Sequence, residues 1–278
     1  MKQTRHLLIA LALGTMLTSC GASVSTATVT GPAAYVDPYI GSGGHGHVFV
    51  GASVPFGAIQ AGPQNIHKGR DWCSGYHHSD SIVIGFAHTH LSGTGCTDMG
   101  DVQIMPYTGE LRSKRGRQED IGGSCSSYYS HDNESVSPGY YSLKMNNGVQ
   151  IEMTASTRTA LHRITYPEAE GRRLLINLEE GNGDGAYDTY LRQTDAHTVE
   201  GYRFSKGWGP HKVFFALTTD KPIRSLALFD ADTPSEGSEI RCKGAKGVLT
   251  FDDEKQVMVK VAISSVSSAN ALENLRTE

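Results

Sequence analysis

Histidine, aspartate, tryptophan and glycine crowd into one stretch, from Gly41 to Asp101. It contains GSGGHGHVFVGASVPFGAIQAGPQ, then DWCSGYHHSD, then IGFAHTHLSGTGCTDMGD. Seven of the twelve histidines lie between His45 and His90, beside one of only two tryptophans. Glycine lets a backbone turn sharply and approach a ligand closely. Histidine and aspartate supply polar tips, and tryptophan a flat apolar face. This mixture suits the lining of a cleft better than the filling of a core.

Several chemistries are open to these residues. In Asp71-Trp72-Cys73 an indole sits beside a carboxylate, which suits sugars: their C–H faces stack on the ring and their hydroxyls bond acids. The bland alternative for Trp72 is a core position with its N–H satisfied nearby. Ile82, Ile84, Phe86, His88 and His90 share one face if IVIGFAHTH is a single strand, and two histidines at i and i+2 can hold a metal. A third ligand would then come from His45, His47 or His77. An apolar strand running into polar residues at a sheet edge gives the same pattern. Cys73 as a nucleophile needs a base, for which His77 is available. Asp98 and Asp101, with Glu110, could form a hydrolytic carboxylate pair, although such acids commonly bond to turns. The Gly41–Gly44 run lacks the lysine and following helix of a phosphate-binding loop.

The elements that must position these groups are strands. Val257, Val259, Val261 and Ile263 alternate with Met258, Lys260 and Ala262. Similar runs begin at Val149, Leu161, Arg172, Lys212 and Pro222, separated by turn-rich pieces such as MNNG, GNGDG and KGWGP. Helical patterns between them are absent, so the expected fold is all-β, a large antiparallel β-sandwich over residues 35–266. Residues Arg112–Pro138 read as a long irregular excursion. In SSANALENLRTE the period changes: Ser267 or Ser268 caps a helix with Ala271, Leu272 and Leu275 on one stripe. By pattern alone residues 267–278 are either a terminal helix that frays or one that continues.

The N-terminus reads as a processed leader. Lys2 and Arg5 precede an apolar run, Leu7–Leu17, too short to span a membrane. Leu17-Thr18-Ser19-Cys20 is similar to the lipobox of bacterial lipoproteins, which makes residues 1–19 a signal peptide and Cys20 the lipidation site. Acyl chains there would anchor the protein to a membrane, each buried methylene adding roughly 0.8 kcal/mol. The expected location is an exported lipoprotein, in the periplasm or at the outer membrane. Residues 20–34 are small and polar, a flexible tether. The formal net charge is −4, and removal of Lys2 and Arg5 makes it two units more negative, which argues against a nucleic-acid partner. Cys73, Cys96, Cys125 and Cys242 could pair or remain free thiols.

Four motifs carry a resemblance: Tyr35-Val-Asp-Pro-Tyr-Ile-Gly-Ser-Gly-Gly-His-Gly-His, Val54-Pro-Phe-Gly, Asp71-Trp-Cys-Ser-Gly-Tyr-His-His-Ser-Asp and Gly85-Phe-Ala-His-Thr-His-Leu-Ser-Gly-Thr-Gly-Cys. In order and spacing the chain resembles the N-terminal part of glycoside hydrolase family 92, bacterial exo-acting α-mannosidases. The resemblance implies a sandwich domain followed, in such enzymes, by a helical linker and a catalytic (α/α)6 barrel, which makes residues 267–278 the expected start of a linker helix. It also implies a mannose-containing glycan as substrate, calcium as cofactor of the whole enzyme, and inversion of configuration. Inversion needs an acid and a base roughly 6.5–9.5 Å apart, and the resemblance assigns both to the barrel. This chain alone is therefore expected to bind no calcium and to be inactive. Trp72 becomes the candidate for stacking on or hydrogen-bonding the mannoside. Asp71, His45, His47, His88 and His90 are candidates to shape the same pocket. Two other readings stand beside this one: a free-standing carbohydrate-binding lipoprotein, and a small metalloenzyme built on the histidine strand.

Overall fold

A computed structural model describes residues 30–117 and 120–278. The leader, Cys20 and most of the tether lie outside the described residues. Gly31–Tyr35, at the tether's end, forms an exposed 3-10 turn with Pro32 in its first turn, a local order that the small polar composition did not announce.

Two antiparallel sheets make the body. The first runs Ala52–Ser53, Gln60–Gln64, Gly85–Ala87, Gln103–Tyr107, Arg173–Asn177, Ala245–Thr250, Ser225–Asp230 and Thr233–Ser235. The second, of nine strands, runs Glu239–Cys242, Gly185–Gln193, Thr198–Lys206, Pro210–Thr219, Gln256–Ser264, Thr159–Thr165, Gln150–Ala155, Tyr140–Lys144 and Glu134–Ser137. The runs that begin at Val149, Leu161, Arg172, Lys212 and Pro222, and the run at Val257, each supply a strand, and the alternation has its expected consequence. Val257, Val259 and Val261 are fully buried between the sheets with Leu174, Ile176, Val248 and Phe215. Burying each such side chain stabilises the fold by about 1.5–3 kcal/mol.

The excursion after Arg112 has a structural task. Gln103–Tyr107 and Arg173–Asn177 are buried along nearly their whole length, on both faces. The excursion folds back on this region: the Tyr107 hydroxyl donates to the Arg112 carbonyl at 2.7 Å, and Cys125 and Tyr129 join the core.

The C-terminal helix Ser268–Thr277 lies on the outside of the nine-stranded sheet. Ser267 caps it, its hydroxyl accepting from the Asn270 N–H at 3.1 Å. Ala271 and Leu275 pack on Ala216 and Ala262, with Leu272 at their margin. Ala262 faces away from the interior yet is fully buried, because the helix needs small residues beneath it.

One expectation fails. IVIGFAHTH is two strands, not one. Ile82–Val83 pairs with Ser127–Tyr128 in a separate two-stranded sheet, whereas Gly85–Ala87 belongs to the eight-stranded sheet. The break falls at Gly85, where a Cβ would meet Gln103 Cγ at 2.4 Å. Only glycine lets the chain pass so close to that side chain.

Candidate functional site

Loops from distant parts of the sequence gather at one end of the sandwich. The turn Gly43–His47 comes against Asp71, which follows Arg70 in the short 3-10 helix Arg70–Trp72. The Asp71 carboxylate accepts two hydrogen bonds on one oxygen, from His45 Nδ1 at 2.8 Å and His47 Nε2 at 3.1 Å. These two bonds, His45 first, hold the Asp71 carboxyl below its ordinary range. His47 reaches this position from a left-handed backbone, φ 59°. Three of the residues singled out by their motifs therefore form one half-open polar cluster. Its second carboxylate oxygen is free to accept from a ligand hydroxyl.

Trp72 is half-buried and already engaged. Its indole N–H donates to Asp80 Oδ2 at 2.8 Å, an oxygen that also pairs with Lys68 Nζ at 2.9 Å. One face of the ring stacks on His77, centroids 4.2 Å apart. Lys68 Nζ also lies over the ring, 5.8 Å from its centroid. The indole N–H is thus committed to Asp80, and what the ring can offer a ligand is its exposed portion.

His88 and His90 lie inside the sandwich. His88 donates from Nδ1 to the Val102 carbonyl at 2.6 Å, and His90 to that of Gln60 at 2.8 Å. His88 also meets His162 of the opposite sheet edge to face, centroids 5.1 Å apart. Burial lowers the basicity of all three, His90 and His162 to about 4. Neither His88 nor His90 reaches an open surface, so their geometry serves packing rather than contact with a ligand. Cys73 is buried and donates to the Thr94 carbonyl at 2.8 Å. His77 bonds Ser79 and the Gly44 carbonyl, so no cysteine–histidine pair forms.

Beside the Asp71 cluster an open cleft of about 460 Å³ is lined by His67, Arg70, Cys73, Cys96, Lys206 and Trp208, among others. Trp208 caps the hairpin between Thr198–Lys206 and Pro210–Thr219, and is 85% exposed. Asn182 ties the two sides together, donating from Nδ2 to the Cys73 carbonyl at 2.7 Å. In Lys-Gly-Trp-Gly-Pro an indole stands between glycines at a hairpin tip, where it has little to pack upon.

A buried charge network underlies the cleft. Arg203, fully buried, pairs with Asp101 at 2.6 Å and with Asp184 at 2.8 Å. His211 Nε2 lies 3.1 Å from Asp101 Oδ2. The hydrogen bond to Asp101 raises the His211 pKa to about 9. Burial opposes ionisation of Asp101, yet His211 and Arg203 hold its carboxyl below the ordinary range. Asp98 and Asp101 therefore hold structure rather than forming a hydrolytic pair, and Glu110 is exposed elsewhere. Among the described residues, Asp98, Asp184 and His211 are the group whose ligand atoms converge, within 4.8 Å. Calcium requires six to eight oxygen donors, and here a guanidinium and a protonated imidazole already meet the acids. This donor set does not fit calcium. All four described cysteines are free thiols.

The whole is a two-sheet antiparallel sandwich with a loop-built polar cleft and a helix packed on its outer face. Residues 35–264 match the profile described as the Glycosyl hydrolase family 92 N-terminal domain, and the chain belongs to that family. Among solved structures, it is similar to a family GH92 alpha-mannosidase from Bacteroides thetaiotaomicron complexed with mannoimidazole. The two are 35% identical with a TM-score of 0.84, over 88% of this chain and 34% of that one. It is also similar to a family GH92 inverting mannosidase from Bacteroides thetaiotaomicron VPI-5482, at 25% identity and TM-score 0.75, over 88% and 33%. An uncharacterized secreted glycosidase of Arthroderma benhamiae is 33% identical over 153 residues, 54% of this chain and 18% of the relative. The chain spans about a third of the length of the solved relatives.

Proposed function

We propose that this chain is the sandwich portion of an exo-acting, inverting, calcium-dependent α-mannosidase and lends substrate-binding loops to an interdomain active site. The observation that carries this reading is the Asp71 cluster. Motifs far apart in sequence converge so that His45 and His47 orient one carboxylate beside the half-buried Trp72 and an open cleft. Asp71 accepts from a sugar hydroxyl, and the exposed portion of the Trp72 ring contacts the sugar. This reading assigns the acid, the base and the calcium to a catalytic domain outside the sandwich, as the family resemblance implies. Exposed Tyr35, Ile40 and Phe56 are suited to contact with that domain.

Titration with α-1,2-mannobiose tests the binding role: saturable binding is expected, weakened at least tenfold by Asp71→Ala. Binding unaffected by that substitution overturns it. Substantial α-mannoside hydrolysis by this chain alone overturns the assignment of acid and base to another domain.

The leader motif and the secreted relative support export with lipid on Cys20. A Cys20→Ser variant is then expected in the soluble fraction, with the parent in the membrane fraction. The parent appearing soluble overturns the anchor.

A further inference from the structure

The cleft has two cysteines in its wall. Cys73 closes the 3-10 turn Arg70–Trp72, and Cys96 sits on the facing loop Gly93–Thr97. That loop is pressed onto the turn at two points. The Cys73 thiol donates to the Thr94 carbonyl at 2.8 Å. Gly95 lies so close to Arg70 that a Cβ there would meet the guanidinium at 2.9 Å. The loop then turns, the Thr94 hydroxyl donating to the Cys96 carbonyl at 3.4 Å. Both cysteines line the same cavity. Among the described residues Cys125 and Cys242 have no such partner: Cys125 lies in the core under the excursion, and Cys242 on the strand Glu239–Cys242.

We infer that Cys73 and Cys96 form a redox pair, and that an oxidising disulfide donor joins them into a bridge clamping the cleft's loop to the Arg70–Cys73 turn. The step balances as a dithiol–disulfide exchange. The Cys96 thiolate, the more exposed of the two, attacks the donor disulfide and expels one thiol. Cys73 loses its proton to solvent and attacks the Cys96 sulfur, expelling the second. Two electrons pass from the protein thiols to the donor. Such exchange belongs to exported proteins, so the physiological setting rests on the proposed export, whereas the exchange itself does not.

Desolvation raises the Cys73 pKa, and a charged Cys96 nearby raises it further. The buried thiol is thus a poor first nucleophile and a suitable second one, because the mixed disulfide on Cys96 brings the electrophile to it.

The test is peptide mapping of the full chain after exposure to oxidised glutathione. Trypsin releases Asp71–Arg112 as one peptide containing Cys73 and Cys96 and no other cysteine. The expected peptide is two hydrogens lighter than its reduced form and takes up no alkylating reagent until reduced, while Cys125 and Cys242 show no bridge to each other. In Cys73→Ala, which leaves the exposed thiol, Cys96 is expected to retain glutathione as a stable mixed disulfide. Two alkylatable thiols in that peptide, or glutathione on both cysteines at once, overturns the inference. So does a bridge from either residue to Cys125 or Cys242. Mannobiose binding is read separately, so a failure here leaves the proposed function standing.

Discussion

Asp98 accepts a hydrogen bond from the Trp208 backbone N–H at 2.9 Å, although 110 residues separate them. Its other oxygen accepts from the Met99 N–H, also at 2.9 Å. One side chain thereby fixes the tip of a long hairpin against the loop that follows Cys96. Asp98→Ala removes both bonds and should cost about 1.5–3 kcal/mol, as charged acceptors do. Hydrogen exchange at the Trp208 amide should accelerate more than at the hairpin's middle. Equal protection in both proteins would show that the tip is held by something else.

Arg203 is the charge on which the interior at this end depends. Replacing it with methionine leaves Asp101 and Asp184 buried without their partner, a situation that costs about 3–5 kcal/mol. Urea unfolding should show that loss, and Arg203→Met combined with Asp101→Asn and Asp184→Asn should recover much of it. No recovery would mean that guanidinium packing, rather than charge, is what the position supplies.

Stability should fall on both sides of neutrality, for opposite reasons. His211, with its pKa raised to about 9, contributes stability that is complete below the unfolded value near 6.5 and disappears as pH rises through 9. His90 and His162, depressed to about 4, are neutral in the folded state. Their contribution is present above about 6.5 and is lost as pH falls towards 4. Melting temperatures across pH 4–10 should form a dome. His211→Gln should flatten its alkaline limb alone, and a limb unchanged by that variant would contradict the assignment.

The two tryptophans should separate cleanly. Trp72→Phe removes one partner of Asp80, which keeps Lys68 and the Ser81 and Ile82 amides, and should lower stability by about 1.5–3 kcal/mol, the value of a hydrogen bond to a charged group. Trp208→Ala should stay within about 0.5 kcal/mol of the parent, because the ring stands in water. Chemical denaturation of both variants provides the comparison. Similar losses at the two positions would show that the Trp208 ring packs in solution.

Much of the architecture is legible in the chain. Alternation at Val257–Ile263 and in the runs from Val149 to Pro222 gives strands because nothing but a pleated sheet buries every second residue. The capping serine and the Ala271–Leu275 stripe give the helix. His45, His47 and Asp71 stand out as polar residues in crowded motifs, but their mutual hydrogen bonds come only from the fold. What escapes notice has a physical reason in each case. The break at Gly85 depends on the close approach of Gln103, a partner that periodicity does not register. The burial of His88 and His90 follows from backbone carbonyls that accept their protons, which no side-chain pattern advertises. The cleft is assembled from Arg70, Cys96, Lys206 and Trp208, brought side by side only by the sheet's topology.

The alanine floor beneath the C-terminal helix has a consequence for how this surface can change. Ala216 and Ala262 sit on neighbouring strands and admit a helix only at close range, while the Glu278 carboxylate clips onto the Arg158 amide at 2.8 Å. The helix is thereby keyed in both height and direction, like a beam resting in a notch. A side chain even slightly larger in that notch would tilt the beam, and anything the helix orients would swing with it.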